Sequence, residues 1–163
     1  PLEFNECWAH RGIMFSGIPN LAWVFGYLRT SWTMRANLVS DFVCRLLQHM
    51  KETGTDMVTP ELREEDKDMP SLEFVDAENF NAGYLRRNMH LMPRQGDRQP
   101  WVFSQDYYTE KDQIAEADLE DGTLIYKWSR FTKPNSNLYK NNPFLHQKEG
   151  SSGAWNIRCI RVS

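Results

Sequence analysis

The sequence predicts an α/β protein built around one long amphipathic helix. Apolar residues recur at every fourth position from Met34 to Met50, which is the spacing of one face of a helix. An apolar run over Ile13–Ile18, with Gly12 before it and Gly17 near its end, is typical of a short buried strand. With 163 residues, of which 40% are hydrophobic, the chain is expected to form a single domain.

The long helix is predicted over Thr33–Met50. Thr30, Ser31 or Thr33 supplies a hydroxyl that can cap its start, and Gly54 is a suitable residue to end it. Arg35 falls largely outside the apolar stripe. The helix therefore begins directly after a loop that carries several aromatic residues.

That loop suits a ligand. Pro19-Asn20 turns the chain, and Phe25, Gly26, Tyr27 and Trp32 follow. Gly26 allows close approach of the backbone, and the rings offer a flat apolar wall. A helix start carries unpaired N–H groups and about half a positive charge, so it favours an anion or a polarised oxygen. The loop is a candidate seat for a planar, partly anionic ligand. In the alternative interpretation, the rings belong to the core and the hydroxyls only cap the helix.

Shorter elements are predicted in the second half of the chain. Met57–Pro60 is expected to be extended, because the residue before a proline avoids the helical region, and the charged Glu61–Asp68 is expected to be a solvated loop. The remaining expectations are a short helix around Tyr84–Arg87, an ordered loop over His90–Trp101, an acidic helix over Ser104–Gln113, and a strand at Thr123–Tyr126 after an Asp-Gly turn.

Composition and spacing narrow the functional classes. No apolar run approaches the ~20 residues of a membrane span. Three cysteines without C-x-x-C spacing favour free thiols in a reducing compartment, the cytoplasm. The four histidines lie far apart, so no metal site is predicted, and His10 is expected at the surface or in a turn. Ser16 lacks the flanking glycines of a nucleophile elbow. No catalytic residue is identified.

Charge divides the chain into two parts. From Lys127 onward there are seven basic residues and one acid, whereas the preceding residues include 12 basic and 21 acidic ones. We therefore expect a main part, residues 1–126, and a flexible basic tail, residues 127–163. The tail has four candidate origins: a linker, a lineage-specific extension, an expression scar, or translation in another frame.

Several segments in order resemble one family of enzymes. GIPNLAWVFGY and SWTMRANLVSDFVCRLLQHM, followed by VTPELR, ENFNAGYLRR, HLMPRQGDRQPW and QDYYTEKD, are similar to the last part of the FAD-binding domain in class B flavoprotein monooxygenases, the flavin-containing and Baeyer–Villiger type enzymes. The resemblance covers about residues 3–126. It implies that the chain is the C-terminal remnant of a Rossmann-like flavoprotein with two dinucleotide-binding domains. The G-x-G-x-x-G turns of such domains and the family's Baeyer–Villiger motif with a central His are both absent from the sequence.

The resemblance also implies a reaction. In this family NADPH reduces FAD, and O2 then adds to the flavin as a C4a-(hydro)peroxide that oxygenates a ketone, an amine or a sulfide. The helix start would stabilise negative charge on the flavin's N1–C2=O edge. Phe25 would line the substrate pocket, and the residues implied for cofactor binding are Asn20, Gly26, Tyr27, Ser31, Trp32 and Thr33. Alone, the chain is expected to show no turnover, because nothing in it can hold a pyrophosphate.

Two further expectations concern partners. The partners that the resemblance implies are the missing N-terminal dinucleotide-binding domains. The apolar helix stripe would pack against a sheet that this chain mostly lacks, so Leu38, Phe42 and Leu46 are expected to be exposed here and to cause self-association or partial disorder. The alternative function is a non-enzymatic binding module whose basic tail contacts nucleic acid or an acidic partner. It would use the aromatic residues of the tail: Trp128, Phe131, Tyr139, Phe144 and Trp155. Under the main hypothesis, no nucleic-acid partner is expected.

Overall fold

The computed structural model describes residues 3–76 and 83–128 of the chain. Its helices are α1 (Trp32–Thr53), α2 (Gly83–Asn88) and α3 (Tyr107–Ala115). Its strands are β1 (Ala9–His10), β2 (Met14–Phe15), β3 (Met57–Pro60), β4 (Leu72–Glu73), β5 (Arg94–Gln95) and β6 (Leu124–Lys127). Short 3-10 turns lie at Phe4–Glu6, Glu64–Asp66 and Met89–Leu91. This mixture of helices and small sheets is compatible with the predicted α/β class.

The strands pair in three small antiparallel sheets. β1 pairs with β2, so that Ala9 lies opposite Phe15. β3 pairs with β6 over four residues, from Met57 opposite Lys127 to Pro60 opposite Leu124. β4 pairs with β5. The extended segment at 57–60 is present as predicted, and β6 begins and ends one residue later than predicted.

The strand predicted over Ile13–Ile18 is much shorter in the structure. Only Met14–Phe15 forms a strand, although Ile13, Met14 and Phe15 are all buried as expected. Gly12 and Gly17 both have positive φ angles, 61° and 77°. Such angles turn the chain and end extended structure on both sides, so the apolar run forms one arm of a tight hairpin.

Helix α1 extends past both predicted ends. It ends at Gly54, whose φ of 71° lets its N–H donate to the carbonyls of Lys51 and Met50. The expectation that its apolar face is exposed is wrong. Phe42 is fully buried and Leu46 is 4% exposed, because α3 and the β3–β6 sheet cover them. The core around this face also contains Ile13, Met14, Val58, Ile114, Ala117 and Leu124.

Two side-chain environments differ from the sequence-based expectations. The charged loop at 61–68 is not fully solvated, because Asp66 is completely buried and accepts hydrogen bonds from Arg63 and from the indole N–H of Trp101. His10 is buried rather than at the surface. Cys7 is buried, and its thiol is free as the sequence predicts.

The structure leaves other expectations untested. Residues 129–163 lie outside the described part, so the binding-module alternative, which uses Phe131, Tyr139, Phe144 and Trp155, remains a prediction, as does the division near residue 126. No helix in the described residues combines the length and apolar character needed to cross a membrane.

Candidate functional site

The start of α1 and the loop before it bring three of the predicted residues together. Trp32 is the first residue of α1 and is 54% exposed. Its ring lies 6.2 Å from that of Phe25, measured between centroids. The same indole covers Gly26 so closely that a Cβ there would overlap it. Glycine is therefore required at position 26 for the indole to pack on the backbone.

The predicted capping hydroxyls do not cap α1. Ser31 is the N-cap residue, but its side chain makes no capping hydrogen bond and instead lies 2.7 Å from the Thr33 hydroxyl. The first turn contains no acidic residue. The positive end of the helix is therefore not neutralised by a carboxylate of its own first turn, a feature that favours an anionic or polarised ligand.

Phe25 and Asn20 have structural partners. Phe25 packs in an aromatic cluster with Trp23, Phe74 and Phe103, with ring centroids 5.3 to 5.9 Å away. Asn20 joins its turn to β3, because its side chain donates to the Asp56 carbonyl and accepts from the Val58 N–H, both at 2.9 Å. Phe25 is thus partly a core residue, in line with the alternative interpretation of the loop.

Tyr27 is buried and belongs to a polar network that the sequence did not predict. Its hydroxyl donates to Glu110 Oε2 at 2.8 Å. The same carboxylate forms an ion pair with Arg35, and both charged residues are nearly or completely buried. The other carboxylate oxygen of Glu110 accepts from the backbone N–H and the hydroxyl of Ser104, at 3.0 and 3.2 Å.

Arg35 connects this network to the hairpin and the aromatic cluster. Its Nη2 donates to the Arg11 carbonyl at 2.7 Å, and its guanidinium carbon lies 4.4 Å from the Phe103 ring centroid. Burial lowers the pKa of Arg35 to about 10, an effect that neighbouring Tyr27 partly offsets. Burial raises the pKa of Tyr27 to about 12, against the opposing charge of Arg35. At neutral pH the network therefore contains a guanidinium cation and a protonated phenol that donates its hydrogen bond.

The signal for Arg35 is present in the sequence but easily missed. Arg35, Val39, Phe42, Leu46 and Met50 are the buried residues of α1, and their spacing of three and four continues one helical face. The predicted apolar stripe of α1 began at Met34 and therefore did not include Arg35. Glu110 lies four residues before Ile114, and these are the two buried residues of α3.

Gln105 also holds the loop, through hydrogen bonds from its side chain to the loop's main chain. Gln105 has a positive φ of 58°. Its side-chain oxygen accepts from the Leu28 N–H at 2.8 Å, and its side-chain nitrogen donates to the Gly26 carbonyl at 3.3 Å. These two bonds fix the main chain on either side of Tyr27. Tyr27 is therefore held both through its neighbours and through its own hydroxyl.

A cleft of about 880 Å³ adjoins the loop and the first turn of α1. Its walls combine apolar residues with hydroxyl, amide and carboxylate groups, and they include Leu28, Thr30, Met34, Phe103 and Gln105. The seven residues predicted from the sequence do not line it. The volume lies in the range of ligand pockets. The site therefore has two surfaces: the Trp32 surface, formed by Phe25, Gly26 and Trp32, and this cleft. No cluster of His, Cys, Asp and Glu suited to a metal ion occurs within residues 3–76 and 83–128.

Comparison with curated proteins gives consistent relatives. The chain is 38% identical over 125 residues to the FAD-containing monooxygenase EthA of Mycolicibacterium smegmatis, and 40% identical over 126 residues to EthA of Mycobacterium tuberculosis. It is 31% identical over 130 residues to an Acinetobacter protein named "Probable FAD-binding monooxygenase AlmA". Each match covers 77% of this chain and 24% of the relative. The chain thus spans about a quarter of the length of the curated relatives it matches.

Two other comparisons found nothing. No protein-family model matches the chain. No solved structure matches it either.

Proposed function

Because the chain is homologous to a segment of the FAD-containing monooxygenases, we propose that it forms part of a flavin-dependent monooxygenase that uses FAD and NADPH. The reaction would transfer one oxygen atom from O2 to a small ketone, amine or sulfide. The observation that supports this most strongly is the match of 38 to 40% identity over 125 to 126 residues to two proteins named as FAD-containing monooxygenases.

The start of α1 is the part of the chain that suits a flavin ring. It presents the positive end of a 22-residue helix without an acidic residue in the first turn, and the exposed indole of Trp32 lies beside it. Ser31, Trp32 and Thr33 would hold the polar edge of the ring, and Phe25, Gly26 and Trp32 would support its apolar side. The buried hydroxyl of Tyr27 would act indirectly, by fixing the loop to Glu110.

The residues present suit one end of FAD only. No G-x-G-x-x-G turn occurs in the sequence, so the pyrophosphates of FAD and NADPH would be held by other dinucleotide-binding domains of the complete protein. We propose that these domains are the principal partner of the chain. Leu21, Val24 and Trp32 are each at least 40% exposed and offer them an apolar contact surface.

When bound, FAD would supply electron transfer and the activation of O2. The chain's own residues would then have three tasks: to orient the ring at the helix start, to stabilise negative charge there, and to keep water out with the aromatic side chains of the loop. The cleft that adjoins the loop is a suitable place for the small-molecule substrate. We also propose that the complete protein is cytoplasmic. The apolar face of α1 gives no reason to expect self-association, because this face is covered in the described structure.

The test uses the full-length protein that contains this chain, with Gly26→Val and Trp32→Ala as variants. Valine at position 26 would displace the indole from the backbone, and alanine at position 32 would remove it. Both variants are expected to lose bound FAD or to be reduced more slowly by NADPH. Flavin content per polypeptide and rapid-mixing reduction kinetics measure the two effects.

The matched control is Lys67→Ala, since Lys67 is exposed and pairs only with Glu64 in the described structure. Arg63 is a poor control, because it donates to buried Asp66. The control is expected to change stability by less than about 0.5 kcal/mol and to leave flavin content unchanged. If the unaltered full-length protein contains no flavin and binds none, the proposed function is wrong. If all three variants match the unaltered protein, only the placement of FAD at this loop is wrong.

A further inference from the structure

We infer that Gln105 is a positioning residue, which fixes the loop of Gly26, Tyr27 and Leu28 between the α1 start and the cleft. This inference rests on the proposed function, in which that loop faces the flavin. It concerns a residue that lies far from the loop in sequence and that no periodicity singles out.

The hydrogen bonds of Gln105 imitate those of a neighbouring strand. A primary amide carries one carbonyl acceptor and an NH2 donor, and here the acceptor receives the Leu28 N–H at 2.8 Å while the donor reaches the Gly26 carbonyl at 3.3 Å. One side chain thus satisfies two main-chain groups, one on each side of Tyr27. Because buried or half-buried backbone groups need partners, this pair of bonds gives the extended loop a partner that no strand provides.

The residues on either side of Gln105 are themselves held by hydrogen bonds to α3. The preceding residue, Ser104, donates its N–H to Glu110 Oε1 at 3.0 Å. The following residue, Asp106, caps α3 by accepting from the Thr109 N–H at 2.9 Å. Gln105 therefore transmits the position of α3 to the loop, in parallel with the Tyr27 hydrogen bond to Glu110.

The backbone of Gln105 is in an unfavourable conformation. Its φ of 58° is uncommon for a residue with a long side chain, and such conformations persist where the surrounding structure imposes them, often beside a functional site. Glycine would adopt this φ without strain. A glutamine at this φ is thus explained by what its side chain does, and the described hydrogen bonds of that side chain are with Gly26 and Leu28.

Gln105 also faces the place where a ligand would bind. It lines the cleft of about 880 Å³ together with Leu28, Thr30 and Met34. Those three residues come from the loop and from the segment that begins α1. A shift of the loop would therefore change both the wall of the cleft and the helix start.

The variant Gln105→Gly distinguishes a role of Gln105 in positioning the loop from a role in the stability of the fold. Glycine relieves the strained φ, which offsets part of the cost of the two lost hydrogen bonds, so the thermal stability of the chain is expected to change little. The loss of two hydrogen bonds to the loop is expected to make hydrogen exchange of the Leu28 amide about tenfold faster. In the full-length protein, the dissociation constant for FAD is expected to rise by a similar factor. The isosteric Gln105→Glu, which keeps the acceptor but replaces the donor to Gly26, is expected to show an intermediate effect.

The matched control is Gln95→Ala. Gln95 also bridges main-chain groups, since it accepts from the Phe103 N–H at 2.8 Å and donates to the Glu73 carbonyl at 2.8 Å, but it has no hydrogen bond to the loop. It is expected to lower thermal stability without changing Leu28 exchange. Because Gln95 also lines the cleft, FAD affinity is compared only between Gln105→Gly and the unaltered full-length protein.

The outcomes distinguish the two proposals. Unchanged Leu28 exchange in Gln105→Gly, or equal loosening of the loop by Gln95→Ala, overturns the positioning role. Equal FAD affinity in Gln105→Gly and the unaltered full-length protein also overturns it and leaves the proposed function intact. An unaltered full-length protein that binds no FAD overturns the proposed function, and the inference with it.

Discussion

The two ends of helix α1 are held by different kinds of interaction. Toward its C-terminus, Phe42, Leu46 and Met50 pack into an apolar core, and Gly54 ends the helix with main-chain hydrogen bonds. Toward its N-terminus, the buried anchor is Arg35, whose partners are Glu110 and the Arg11 carbonyl. One end is held by burial of apolar surface and the other by a buried ion pair.

This difference indicates that the two ends of α1 have different roles. Apolar burial stabilises without strict geometry, at about 25 cal/mol per Å² of surface. A buried ion pair contributes little net stability, because desolvation offsets most of the attraction, but it requires a particular arrangement of its groups. We interpret the C-terminal end as the source of stability, and the N-terminal end as the part whose geometry is specified. The N-terminal end is also where the proposed flavin surface lies.

The largest effect is expected from Phe42→Ala at the apolar end. Removing a fully buried ring leaves a cavity among Ile13, Met14 and Val39 and should reduce the free energy of unfolding by about 3 to 5 kcal/mol. Urea denaturation of the chain measures it. The matched control, Leu47→Ala, removes an apolar side chain that is 47% exposed and should cost far less. Equal losses would show that α1 does not owe its stability to this core.

A comparable loss is expected from Glu110→Leu at the polar end, for a different reason. This change leaves Arg35 charged, buried and without its carboxylate, at a cost of about 3 to 5 kcal/mol. Combining it with Arg35→Met should recover a large part of that loss, since no buried charge then remains. Denaturation of both single variants and the double variant gives the coupling.

The exposed Asp112 on α3 supplies the control for that cycle, because Asp112→Asn should change stability by less than about 0.5 kcal/mol. If the losses of the two single variants simply add in the double variant, the N-terminal end is not organised around an ion pair.

A smaller effect, dependent on pH, is expected from His10, which packs against the apolar end. Its ring lies 6.5 Å from that of Phe42, and Nε2 bonds to the Thr123 hydroxyl at 2.9 Å. Burial, together with the nearby charge of Arg11, lowers the pKa of His10 to about 3 from 6.5. A depressed pKa gives stability that is present above pH 6.5 and is lost as the pH falls toward 3.

The unaltered chain should therefore lose about 1 to 2 kcal/mol more between pH 7 and pH 5 than His10→Gln, which cannot take up a proton there. Denaturation of both proteins at the two pH values isolates this contribution from that of the carboxylates. Parallel pH profiles would contradict the assignment of a neutral, buried histidine.

The smallest effects are expected at the two helix caps. Gly54→Ala places a side chain at a φ of 71°, with its Cβ 3.1 Å from the Trp128 ring, and should cost about 1 to 2 kcal/mol. Ser31→Ala should cost less than about 0.5 kcal/mol, although capping serines usually contribute about 1, because the Ser31 side chain makes no capping bond. Thermal unfolding compares the two, and a larger loss for Ser31→Ala would reverse the proposed difference between the ends.

The sequence by itself determined the elements that depend on neighbouring residues. Periodicity predicts the long helix, and glycine predicts its end at Gly54 and the turn before β6. Proline predicts the extended segment Met57–Pro60. The resemblance to flavoprotein monooxygenases was likewise visible in ordered local segments, and the curated relatives confirm it. These features leave a local pattern because their causes act over a few residues.

The tertiary structure alone decided which polar groups meet. Tyr27 and Glu110 are 83 positions apart, Leu28 and Gln105 are 77 apart, and Asp66 and Trp101 are 35 apart. Each pair includes one residue of a type that is usually exposed, namely Glu110, Gln105 or Asp66, and burial of a charged or polar group is tolerated only when its partner is present. Since that partner comes from a different element, no periodicity in either segment could predict the contact. The same reason explains why Glu110 and Gln105 were missed. Arg35 differs, because it continues the periodicity of the buried face of α1 and was missed only because the predicted stripe began at Met34.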